Sequence, residues 1–178
     1  MLRRANHALF AAVFLPHLTD AYRLARWLTG SGADAEDVVQ EAAIRAFKSI
    51  ATFGGDNPRA WALTITRNAA YSWLAKNRPS ALVLAEDLPP AGRDRTAAEP
   101  VDTAATPEAA MVAKADADEL RSAMASLAPP FREVLVLREI HELDYRTIAS
   151  VVGIPVGTVM SRLARARRLL AEALGPRR

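Results

Sequence analysis

Apolar positions recur at helical spacing along almost the whole chain. The clearest run starts at Pro155: Val156, Val159, Leu163, Ala166, Leu170 and Ala173 follow one another at intervals of three and four, which draws a single stripe along an α-helix. Just before it, Asp144 is placed to cap a preceding helix, Gly153 can take the positive φ that ends it, and Pro155 suits a first helical turn. Two helices joined by so tight a turn read as a helix-turn-helix. Upstream, residues 5–15 and 17–28 are helical, the second with Leu18, Ala21, Leu24, Ala25 and Leu28 on one side. After Gly30-Ser31-Gly32, Ser31 starts a helix over 33–50 that buries Val38, Val39, Ala42, Ala43, Ala46, Phe47 and Ile50. Its other face is polar: Asp34, Asp37, Gln40, Glu41, Arg45 and Lys48.

Pro58 opens a further helix, to residue 76. From 79 to 110 periodicity fails, and Pro79, Pro89, Pro90, Pro100 and Pro107 recur among Ala, Asp and Glu. Periodicity returns over 113–127, with Ala117, Leu120, Met124 and Leu127 inward, and over 131–141, where Val134-Leu135-Val136-Leu137 predicts a largely buried element. The fold class is therefore all-α: two small helical domains, 1–78 and 111–178, joined by a flexible linker at 79–110, the C-terminal domain a helix-turn-helix.

Charge sharpens this picture more than composition does. Residues 1–78 hold ten Lys/Arg against six Asp/Glu, 79–110 two against six, and 111–178 eleven against eight. Two basic domains around an acidic linker suggest a polyanion touched at two separated places. The chain has no cysteine, which rules out disulfides, Cys-ligated zinc and a thiol sensor. The basic start and the apolar run 8–15 imitate a signal peptide, but Pro16-His17 interrupts the run and no small-x-small site follows. No stretch approaches the ~18 apolar residues of a membrane span, so the expectation is a cytoplasmic protein without membrane insertion.

The candidate chemistry is recognition, not catalysis. Opposite its apolar stripe, the last helix presents Thr158, Ser161, Arg162, Arg165 and Arg168, a hydroxyl-bearing cationic face suited to a major groove. The 58–76 helix mixes Trp61, Tyr71 and Trp73 with Asn68, Thr64, Ser72, Arg67 and Lys76. Rings among cations and amides can stack unpaired bases, although Trp61 and Trp73 suit a core equally well. His7, His17 and His141 are scattered without metal-like spacing, and no Gly-rich phosphate loop is present. No catalytic residue, metal site or cofactor is expected.

Two blocks in order carry a family resemblance: AEDVVQEAAIRAF (35–47) with WALTITRNAAYSWLAK (61–76), then LAPPFREVLVLREIHELDYRTIASVVGIPVGTVMSRLARARRLL (127–170). Together they resemble the extracytoplasmic-function (ECF) group of bacterial RNA polymerase sigma factors. The resemblance implies a non-enzymatic subunit that binds core RNA polymerase, recognises promoter DNA at its −35 and −10 elements, promotes melting and is held by an anti-sigma factor. Asp37, Gln40 and Glu41 match the D-x-x-Q-E signature that implies docking on polymerase. Asn68 matches the position that helps receive a flipped −10 base, with Phe53, Arg67 and Trp73 as further candidates. The −35 readers fall on Met160, Ser161, Ala164 and Arg165, with Arg162 and Arg168 on phosphates. Position 160 is often basic in the family; Met160 cannot donate to guanine, and Ala164 offers only a methyl, so shape readout gains weight. No domain is expected beyond Leu174. The competing reading is a helix-turn-helix regulator that binds duplex unaided.

Overall fold

The computed structural model describes residues 2–83 and 107–175. All regular structure among them is helical: α1 Leu2–Val13, α2 Leu18–Thr29, α3 Gly32–Ser49, α4 Pro58–Asn77, α5 Pro79–Val83, α6 Pro107–Ser126, α7 Pro129–Leu135, α8 Tyr145–Val152 and α9 Val156–Leu174. Short 3₁₀ turns follow α1 and α3, and α7 runs on into a π-helical turn, Val136–Ile140. Helix occupies both ends of the expected linker, 79–83 and 107–110. Pro79 starts α5 and Pro107 starts α6, because proline fits a first helical turn; the rest of the predicted linker lies outside the described residues.

Local chemistry sets the boundaries. Ser31 caps α3 by accepting from Asp34 N–H at 3.4 Å, and Asn57 caps α4 by accepting from Ala60 N–H at 3.0 Å. Asp144 caps α8 through Thr147 N–H at 2.8 Å, and Gly30 and Gly153 end α2 and α8 at φ 79° and 75°.

The α2, α3 and α4 helices pack mutually, with α1 across α3 and α4. In the second unit α7 and α8 pack on α9, and α6 joins α9. The two units also pack on each other, α4 against α8 and α2 against α7. One buried cluster consequently runs from Phe14, Leu28 and Leu63 through Leu127, Val134 and Leu137 to Ile148 and Leu163.

Four predicted core positions are open instead. Phe47 is 42% exposed because it packs edge-on against Phe10 of α1, ring centroids 5.5 Å apart, rather than entering the core. Leu120 is exposed, and the buried side chains nearest it lie further on, Ala123 and Met124 on α6 and Leu127 just past its end. Val156 and Ala173 sit in the first and last turns of α9, beyond the partners that cover Val159, Leu163 and Ala166.

Candidate nucleic-acid interface

The α8 and α9 helices meet at 99°, within the range of a helix-turn-helix. Gly153 makes this turn: its N–H bonds Ala149 carbonyl at 2.8 Å, and Ile154 N–H reaches the same oxygen at 3.1 Å. Along α9, Met160 is the most open large apolar side chain, 54% exposed, and Ser161 beside it donates its hydroxyl to Thr158 carbonyl at 3.1 Å. Ala164 is half-buried, and Arg168 is exposed with Nε 3.8 Å from Glu172.

Two of the predicted readers are not open. Arg165, expected on the cationic face, is only 9% exposed, and its guanidinium lies 5.5 Å over the Phe131 ring of α7. Arg162 is half-buried, with Nη1 3.6 Å from Oε1 of Glu133.

On α4, Asn68 is exposed and Arg67 turns inward. Arg67 binds Glu133 with a two-pronged fork, Nε to Oε2 at 2.8 Å and Nη2 to Oε1 at 3.2 Å, while its Cζ sits 4.1 Å over the Tyr71 ring. Its remaining Nη1 donates to Asn68 Oδ1 at 3.4 Å. Phe53 packs on Trp61, centroids 5.3 Å apart, and Trp61 lies two turns before Asn68 on the same side of α4. Trp73 is half-buried beneath Arg78, 5.3 Å from its ring. The structure thus gathers Arg67 and Asn68 at one point and leaves Phe53 and Trp73 towards the two ends of the helix.

On α3, Asp37, Gln40 and Glu41 are all exposed, and Glu41 pairs with Arg45 at 2.7 Å. Ile44, 50% exposed, extends this face by one more turn. Its spacing of seven from Asp37 was the available sign, hidden by the apolar residues around it.

Three buried polar groups at the junction of the units escaped sequence reasoning. Glu133 is 0% exposed, and burial pushes its carboxyl upward against the opposing pull of Arg67 and Arg162. Arg132 donates to five carbonyls: Met124, Ala125 and Leu127 at the end of α6, and Trp27 and Leu28 at the end of α2. His141 lies with Nδ1 3.5 Å from Asp20; burial pushes the imidazole down, and Asp20 opposes this. Neither neighbouring sequence nor periodicity signals the contacts across the junction, because Arg67, Trp27, Leu28 and Asp20 are all more than sixty residues from the groups they meet.

Among the described residues no group of His, Cys, Asp and Glu could hold a metal ion, and no single helix is long and apolar enough to cross a membrane. Fold and faces together define a two-unit helical protein with a helix-turn-helix in its second unit. The Sigma-70 region 2 family matches residues 13–79, and Sigma-70 region 4 matches residues 117–170, one on each unit. The chain is 35% identical to the ECF RNA polymerase sigma factor SigE of Mycolicibacterium smegmatis over 89% of its own length, and spans 58% of that relative. It is also 35% identical to the RNA polymerase sigma-H factor of Pseudomonas aeruginosa, over 80% of this chain and 74% of the relative. The sigma factor RpoE of Bartonella quintana, solved in complex with the anti-sigma factor NepR, is similar in structure at TM-score 0.65 and 27% identity, covering 90% of this chain and 92% of that one. The chain belongs to the ECF group of RNA polymerase sigma factors.

Proposed function

We propose that this chain is a dissociable promoter-specificity subunit of RNA polymerase, acting in the cytoplasm. The observation that carries the reading is the coincidence of the two sigma family matches with two chemically distinct faces: an amide- and aromatic-bearing α4 and a helix-turn-helix with exposed Met160, Ser161 and Arg168. In this reading Asp37, Gln40 and Glu41 dock on core polymerase. Asn68, with Arg67, Phe53 and Trp73, holds the melted −10 strand. An amide matches a base edge with both a donor and an acceptor, and the energy of capture offsets unstacking, a few kcal/mol per flipped base. Met160, Ser161 and Ala164 face the −35 duplex with Arg168 on phosphate, and Arg165 and Arg162 join them only by leaving Phe131 and Glu133, so binding weakens as salt rises. The covalent chemistry stays with the polymerase, and the chain itself is not an enzyme. An anti-sigma factor is the expected regulator, as RpoE of Bartonella quintana is held by NepR.

Permanganate reactivity of −10 thymines tests this directly, in a mixture of core polymerase, promoter and chain. Reactivity should require all three, vanish with Asn68→Ala, and fall with Asp37→Lys and Glu41→Lys in step with lost co-elution of chain and polymerase. Unchanged reactivity in all of these variants would refute the assignments.

A further inference from the structure

The open part of α9 is apolar where a reader of guanine or adenine would carry donors. Over the first three turns its exposed residues are Val156, Gly157, Met160 and Ser161, and none bears a charge or an amide. Val156, Met160 and Ala164 follow at intervals of four, so they form one ridge, about 12 Å long at 1.5 Å per residue. Met160 is its crest, 54% exposed, with Val156 at 38% and Ala164 half-buried. Beside the ridge, a Cβ added at Gly157 would meet nothing within 4 Å, so a groove wall can come close to the backbone there.

The polar side chains of the same helix are held by other groups. The Arg165 guanidinium lies over Phe131, Arg162 Nη1 is 3.6 Å from Glu133 Oε1, and Arg167 pairs with Glu139 at 2.7 Å. Ser161 donates its hydroxyl to Thr158 carbonyl, which leaves it an acceptor. In a major groove, guanine is read by the paired donors of arginine or lysine, and adenine by an amide. The open stretch offers neither. It offers carbon and sulfur, and the one group on a base edge that suits such a surface is the 5-methyl of thymine.

We infer that α9 reads the −35 duplex through thymine 5-methyl groups packed on Met160, with Val156 and Ala164 beside it, so that Met160 is a specificity-determining residue that selects T·A pairs over G·C pairs. This rests on the sigma reading of α9. A ridge of about 12 Å faces roughly three base pairs at 3.4 Å each. The unbranched methionine side chain can follow methyl groups on either strand. Burying one methyl is worth about fourfold in affinity, so two neighbouring thymines give roughly fifteenfold.

The test offers promoter duplexes randomised around −35 to core polymerase with the full chain and, separately, to the chain alone, and sequences what is retained. The retained duplexes should carry adjacent T·A pairs. Replacing a selected thymine by deoxyuridine removes the methyl and keeps the base pair; binding should fall about fourfold per methyl. Met160 is exposed, so Met160→Ala should fold normally. It should bind the selected duplex more weakly and be indifferent to deoxyuridine, whereas an effect of methyl loss on DNA shape would persist in it. Polymerase-dependent retention of G·C-rich duplexes, or a deoxyuridine loss that is absent or equal in wild type and Met160→Ala, overturns methyl readout and leaves the sigma reading standing. Retention of thymine-bearing duplex by the chain alone, with the deoxyuridine loss and no contribution from polymerase, supports methyl readout while the sigma reading fails. Retention of no particular sequence by either overturns both.

Discussion

Replacing Arg132 by Met removes five donors while keeping most of the side-chain bulk. Three of its bonds, to Met124, Ala125 and Leu127 at 2.8, 2.5 and 2.7 Å, satisfy the end of α6; the other two satisfy the end of α2. Helix C-termini carry unpaired carbonyls and partial negative charge, so a buried cation there is well placed. Charge-assisted bonds are worth about 1.5–3 kcal/mol each, but these five share one desolvation cost and the freed carbonyls partly rehydrate. A net loss of about 3–5 kcal/mol follows, since carbonyls left without a donor cost about 1–3 kcal/mol each and only some of the five stay dry. Against a total of about 5–15 kcal/mol this is a large fraction. Urea unfolding should show the midpoint falling with little change in slope. Arg132→Lys should recover less than half, since three donors on one nitrogen cannot reach two helix ends. A loss below about 1 kcal/mol for Arg132→Met would refute the reasoning.

Other consequences are open to the same kind of test. Gly153→Ala should cost about 1 kcal/mol in unfolding free energy: its φ is 75°, and an added Cβ meets nothing within 4 Å, so the cost is conformational alone. Asn57→Ala should cost about 1 kcal/mol by uncapping α4, seen as a lower thermal midpoint. His141 is held below the ordinary imidazole value by burial, aided by the Arg59 and Arg23 charges and opposed by Asp20, so the folded chain binds its proton less readily than the unfolded one. Its contribution is complete above about pH 6.5 and is lost as pH falls below it. Glu133, raised by burial, acts in the opposite sense. His141→Gln should therefore reduce the acid loss of stability between pH 7.5 and 5.5, and an unchanged pH profile would contradict this assignment.

Much of the fold was legible because helices advertise themselves locally. The Ser31, Asn57 and Asp144 caps and the Gly153 turn all act within four residues, and the stripe of Val159, Leu163 and Ala166 is buried as its spacing requires. Errors fell where a helix face meets an element remote in sequence. Phe47 covers α1, and Arg165 folds over Phe131; an arginine on a polar stripe carries no mark of a distant ring that will cover it. Asn68 and Ser161, proposed as site residues from the family resemblance, are both exposed. The Glu133 junction was not legible, since an isolated carboxylate before an apolar run gives no hint that Arg67, sixty-six residues earlier, will reach it.

Run-off transcription by bacterial core polymerase, with and without this chain, from a template bearing −35 and −10 elements tests the central claim most directly. Initiation at the promoter should depend on the chain, with Asn68→Ala losing melting and Ser161→Ala weakening −35 recognition. Tight binding of promoter duplex by the chain alone, with no engagement of core polymerase, would contradict the account and point to a regulator that acts unaided.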